Sequence, residues 1–184
     1  MRCRLAAALL LAAVARGVAP VAAVEIPDGY RLDHYRAPTP DRVPGAVTLD
    51  TAGIAALLER ERPVLIDTTP ALRTGETDFS GEWLVAQERR DLPGSLWLPN
   101  IGYGSLDATM ERYFRQNLEQ ATGGDRERAV VFYCYLDCWM SWNAAKRAAA
   151  WGWRRVYWYP EGTDGWAAAG RPLTRAEPVP LIVE

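Results

Sequence analysis

The chain has 184 residues, 49% hydrophobic and 24% charged, enough apolar matter for one packed core and too much for a disordered chain. Its formal net charge is −2, with no block of lysine or arginine, which excludes an electrostatic nucleic-acid binder.

Arg2 and Arg4 open the chain, Leu5 to Val14 is continuously apolar, and Val21-Ala22-Ala23 supplies small residues where a signal peptidase reads. Residues 1–23 are therefore expected to be a secretory signal peptide, against the alternative of an uncleaved anchor. The apolar run is too short to span a bilayer and Arg16 interrupts it, so no membrane span is expected after cleavage. Loss of Arg2, Arg4 and Arg16 takes the charge from −2 to −5. Cys3 leaves with the leader, and Cys134 and Cys138 remain in an oxidising compartment.

Residues 24–46 carry Pro27, Pro38, Pro40 and Pro44 and no clear period, and read as an irregular arm lying on the domain or tethering a partner. A domain is expected over residues 47–175, with a tail over 176–184. "AVTLD" reads as a short strand, after which Asp50 or Thr51 caps a helix bearing Ile54, Leu57 and Leu58. "PVLIDT" is a buried strand ending in Asp67, and "GSLWLP" is another. The stretch between them, Thr69 to Pro93, reads as a long excursion with one short helix. Asp107 opens a helix with Met110, Tyr113, Phe114 and Leu118 on one face, and Gly123-Gly124 stops it.

"AVVFY", residues 129–133, has no polar residue and suits the centre of a parallel sheet. Ser141 to Trp151 is an alanine-rich helix, with Lys146 and Arg147 expected in water. "RVYWYP" is the next strand and "GTDGWAAAG" a turn with a last short helix. Alternating strands and helices give the α/β class, with a mainly parallel sheet covered on both faces.

Ligands of such sheets gather at the carboxyl ends of the strands. Cys134 sits at one, just before a helix whose free N–H groups and positive end favour an anion such as a thiolate. Three readings stand open: a sulfur-accepting nucleophile, half of a redox pair with Cys138, or a permanent structural disulfide. A bridge across so short a loop adds little entropic stability, which weakens the third. Two cysteines and the distant His34 do not make a metal site, and no haem-attachment pattern is present. A triad built on His34 is rejected because that residue lies in the arm.

Six of the eight tryptophans lie from Trp139 onward. Core packing accounts for Trp151, Trp153, Trp158 and Trp166. Trp139 is placed in the loop at the pocket mouth, where a ligand or partner contact is weighed equally. Asp67 is read as structural, holding a turn through backbone N–H bonds, and Arg89 and Arg90 as solvated surface.

The series "PVLIDT", "LPGSLWLP", "AVVFYC", a helix, and "WGWRRVYWYPEGTDGWAAAGRPL" resembles the rhodanese domain in order and spacing, over Val47 to Leu173. The resemblance implies a three-layer α/β/α domain with a mainly parallel five-stranded sheet, and a catalytic cysteine at Cys134. Within it, "CYLDCWMSWNAAKRA" is similar to the exported group named for a CXXCW motif and associated with catabolism dependent on pyrroloquinoline quinone (PQQ). Three residues separate the cysteines here. The chain departs from the rhodanese pattern at Thr68 and Thr69, where an arginine is usual, and at Asp137, where glycine is usual. Met140 stands where a phosphatase of this fold would need arginine.

The resulting expectation is a periplasmic protein in which the Cys134 thiolate attacks a sulfane sulfur or a disulfide. Cys138 or a partner thiol discharges the product, and Tyr135, Leu136, Asp137, Trp139, Met140 and Ser141 form the pocket loop. The partners implied are a small sulfur compound or partner thiol and a periplasmic quinoprotein dehydrogenase. The chemistry needs no cofactor, though contact with PQQ is compatible with the aromatic loop. The alternative is a non-catalytic accessory module that binds the dehydrogenase or its cofactor.

Overall fold

The computed structural model describes residues 23–73 and 83–181. The expected leader lies outside them, except for Ala23. Strand β1 (Val47–Thr48) leads through α1 (Thr51–Arg60) to β2 (Val64–Asp67). An excursion follows with β3 (Leu72–Arg73), β4 (Trp83–Leu84) and β5 (Arg89–Asp91), before β6 (Leu96–Trp97) and α2 (Ala108–Thr122). The chain continues as β7 (Val130–Tyr133), α3 (Trp139–Ala150), β8 (Val156–Tyr159), α4 (Gly162–Ala168) and β9 (Thr174–Ala176).

Five strands pair in parallel in the order β1-β8-β7-β2-β6, so the wholly apolar β7 is central, as its composition requires. Alternate residues of β7 enter opposite layers. Val130 and Phe132 join Phe114, Trp142 and Trp158 on the side of α2 and α3. Val131 and Tyr133 join Ile54, Leu57 and Trp166 on the side of α1 and α4. The fold is therefore the expected three-layer α/β/α arrangement. Asp50 caps α1 by accepting from the Gly53 amide at 2.7 Å, and Asp107 caps α2 from the Met110 amide at 2.7 Å. Gly123 ends α2 with a φ of +65°.

Asp67, Tyr133 and Tyr159 stand in register, so β2, β7 and β8 end at one level. Cys134 leaves the sheet there.

Two expectations change. Among the described residues the excursion holds short strands and no helix, with β3 paired to β4 and β5 to β9, both antiparallel. Arg147 does not face water; it is buried and donates to the carbonyls of Ile101, Tyr103 and Gly104 at 3.2, 3.0 and 2.9 Å. Local periodicity could not reveal that, because those carbonyls lie more than 40 residues away. The arm lies along α3. Asn143 exchanges hydrogen bonds with the Arg31 backbone at 2.9 Å each way. Trp142 donates to the Arg42 carbonyl at 2.9 Å, and the Lys146 ammonium donates to those of Pro27, Asp28 and Gly29.

Candidate functional site

Cys134 follows β7 and is wholly buried; Cys138, the residue before α3, is 1% exposed. Both are thiols, and their sulfurs lie 2.7 Å apart. Four residues of extended-to-turn backbone bring them together because Asp137 takes a left-handed φ of +57°. The Cys134 carbonyl is held by the Thr163 amide at 3.0 Å, which fixes the loop against α4.

Met140, Tyr35 and Tyr135 pack around the two sulfurs. Tyr35 comes from the arm, where Arg36 pairs with Cys138 as an antiparallel bridge, and the Arg36 guanidinium lies 4.0 Å over the Tyr135 ring. The thiol chamber is thus closed by residues nearly 100 positions apart.

Thr69 Oγ1 stands 3.3 Å from Cys134 Sγ and donates to Asp67 Oδ1 at 2.7 Å, while the Thr69 amide donates to the same oxygen at 2.9 Å. Asp67 therefore accepts from the turn that follows β2, and it does more. Its other oxygen accepts from Arg89 Nε at 2.6 Å, and Asp91 Oδ1 lies 2.9 Å from the same nitrogen. Burial, then the facing Asp67, pushes Asp91 up to about 9, so it keeps its proton at neutral pH. Arg89 is only 15% exposed in its side chain, which corrects its assignment to solvated surface; Arg90 does face solvent. The alternation of β5 puts Arg89 and Asp91 on one face, a signal present in "RRD" but too short to read alone.

A cleft of about 370 Å³ adjoins the chamber, lined by Thr69, Leu72, Val85, Arg89, Trp97 and Tyr135 among others. Of the expected pocket loop, Tyr135 alone lines it. Leu136 points to solvent at 46% exposure, and Met140 and Ser141 are buried. Ser141 Oγ accepts from Trp158 Nε1 at 3.0 Å and donates to the Cys138 carbonyl at 3.1 Å, a packing role. Trp139 is not at a pocket mouth: it is 2% exposed, stacks edge-on against Trp142 and donates to the Pro38 carbonyl at 3.1 Å. Its indole is covered by the arm, an element whose position the local sequence does not encode.

Thr69 and the arm residues Tyr35 and Arg36 are the site residues that sequence reasoning missed. Thr69 was visible only as a departure from the rhodanese pattern. Trp139 and Trp142 are consumed in packing and offer no stacking face to the cleft. PQQ carries several carboxylates and would need free cations, and among the described residues lining the cleft the one guanidinium is already bound to Asp67. The residues present do not fit that cofactor. Among the described residues no cluster of metal-ligating side chains occurs and no helix is long and apolar enough to cross a membrane.

The family model described as "Rhodanese-like domain" matches residues 50–169. The chain is similar in structure to the polysulfide-sulfur transferase homodimer from Wolinella succinogenes, at 20% identity and a TM-score of 0.44, covering 71% of this chain and 79% of that one. It is also similar to thiosulfate sulfurtransferase from Pseudomonas aeruginosa, at 17% identity and a TM-score of 0.49, covering 76% of this chain and 22% of that one. No curated protein matches.

Proposed function

Since the chain belongs to the rhodanese-like domain family, we propose that it moves sulfur, or exchanges thiol for disulfide, at the pair Cys134 and Cys138. The observation that carries this reading is the approach of two free thiols to 2.7 Å at the carboxyl end of the central strand. Two thiols at that distance close to a disulfide with a small side-chain shift, and a persulfide on either one is within reach of the other. The adjoining cleft offers a route for a slender sulfur compound, which enters past Tyr135 and Thr69. Both sulfurs are covered at rest, so the Tyr135 ring must move before a reagent arrives.

The proposal includes a periplasmic location and a place beside PQQ-dependent alcohol oxidation, with a quinoprotein dehydrogenase or its thiol partners as neighbours. The cationic-apolar-small leader supports the first, and the likeness of "CYLDCW" to the exported CXXCW group supports the second. Neither requires this chain to bind the quinone.

The test is incubation of the reduced protein with thiosulfate or inorganic polysulfide, followed by measurement of sulfide and of the protein's thiol count. Sulfide release with loss of both thiols is expected, and a variant with both cysteines changed to serine releases none. Wild-type protein that neither gains sulfur nor forms the disulfide under any donor refutes the reading.

A further inference from the structure

The two sulfurs head a chain of hydrogen bonds that runs one way. The Cys138 thiol donates to Cys134 Sγ at 2.7 Å. Thr69 Oγ1 lies 3.3 Å from Cys134 Sγ and 2.7 Å from Asp67 Oδ1. A threonine hydroxyl has one proton, and a carboxylate can accept but not donate. The Thr69 proton therefore goes to Asp67, and the Cys134 thiol donates to Thr69 Oγ1. The chain ends on a carboxylate that is wholly buried. Among the described residues, no other side chain donates to or accepts from either sulfur.

Asp67 is held ready at that end. Its Oδ2 accepts from Arg89 Nε at 2.6 Å, and its Oδ1 also accepts from the Thr69 amide at 2.9 Å. The amide bond is enough to shape the turn after β2. The hydroxyl adds what the turn does not need, a contact with a sulfur. Cys134 is wholly buried, so a base in bulk water does not reach it. To bond to sulfur it must pass its proton to a partner within hydrogen-bond reach.

We propose that Thr69 is a catalytic residue, a relay that carries the Cys134 proton to Asp67 as Cys134 takes up sulfur. The proposal rests on the sulfur-transfer reading above and deepens it by naming where the proton goes. Thr69 touches the reacting sulfur, Asp67 acts through Thr69, and Arg89 positions Asp67.

With thiosulfate as donor, Cys134 Sγ forms a bond to the outer sulfur. Its proton passes to Thr69 Oγ1, and the Thr69 proton passes to Asp67 Oδ1. The sulfur–sulfur bond of thiosulfate breaks, and sulfite leaves with the electron pair. Cys138 Sγ then bonds to Cys134 Sγ. The bond from Cys134 to the sulfane sulfur breaks, and that sulfur leaves as hydrosulfide carrying the Cys138 proton. Two thiols are oxidised to a disulfide as the sulfane sulfur is reduced to sulfide. Asp67 returns its proton to solvent through Thr69, which lines the cleft. A partner dithiol protein restores the thiols by exchange and takes up the disulfide itself.

Reduced wild-type, Thr69→Val and Thr69→Ser proteins are mixed with thiosulfate, and sulfite is followed through a single turnover. Thr69→Val keeps the side-chain shape and loses the hydroxyl, and its rate is expected to fall about a hundredfold. Thr69→Ser keeps the hydroxyl and is expected to recover most of the rate, which a packing role for the threonine methyl does not predict. A Thr69→Val rate within about tenfold of wild type, or a Thr69→Ser rate as low as that of Thr69→Val, overturns the relay. If wild-type protein releases no sulfite, the sulfur-transfer reading itself falls. In that case, or if Thr69→Val fails to fold, the S–H stretching band decides. It is recorded by Raman spectroscopy on a Cys3→Ser, Cys138→Ser protein, whose single thiol is Cys134. A band below the frequency of a free thiol is expected, because a donating S–H bond is weakened. A band at the free-thiol frequency shows that Cys134 does not donate to Thr69 and overturns the relay.

Discussion

Gly162 illustrates how one residue decides the site. It holds a left-handed φ of +52°, and a Cβ there would overlap the carbonyl oxygen of Cys134. Tyr135 pairs with Gly162 as a bridge, so the loop between the cysteines can only lie where glycine leaves room. Gly162→Ala is expected to lose about 2–4 kcal/mol of stability by urea unfolding, from strain and clash together. A loss below about 0.5 kcal/mol, the level of an ordinary surface change, would show that the loop is not pinned there. The glycine is plain in "EGTDGW", but the carbonyl it meets comes from 28 positions earlier, so the sequence marks a turn without saying what it accommodates.

Among elements, β5 has the least expected part. Its residues Arg89 and Asp91 tie the excursion to the end of β2, and β9 completes the ribbon from the far end of the domain. Two buried carboxylates around one guanidinium cannot both ionise cheaply, and Asp91 is the one that holds a proton, with a value of about 9. The same carboxyl in the unfolded chain ionises near pH 4, roughly. Between those values the folded state keeps a proton that the unfolded state has released, so this group's contribution to stability falls as pH rises through that window. Asp91→Asn, neutral throughout, is expected to flatten the decline of the urea midpoint between mildly acid and mildly alkaline pH. An unchanged slope in the variant would remove Asp91 as its source. The strands and helices themselves were largely legible, because "AVVFY", the Asp50 and Asp107 caps and Gly123-Gly124 each act within a few residues. The excursion was not, since two- and three-residue strands carry too little pattern to stand out.

Across the whole molecule, the arm and α3 behave as one unit. Asn143 is buried and makes three hydrogen bonds, two with Arg31 and one with the Gly102 carbonyl. Asn143→Ala leaves those backbone groups without partners and is expected to cost about 2–3 kcal/mol. It should also loosen the arm, so that trypsin cuts after Arg31 or Arg36 in the variant well before it does in the wild type. Equal cleavage rates would mean that the arm is held elsewhere. Loosening the arm would also lift Tyr35 from the sulfurs, which links the outermost segment of the domain to the reactivity of its most central loop.

Local patterning was sufficient for the class of fold, the order of the parallel strands and the helices between them, and the position of Cys134 at the end of the central strand. Those features depend on which faces are apolar and where the chain must turn, and both are written within a dozen residues. The roof of the chamber, the pairing of Asp67 with Arg89 and the burial of Trp139 followed from packing alone. Each of them joins groups that meet only after the chain has closed on itself, so no short stretch of sequence contains the interaction.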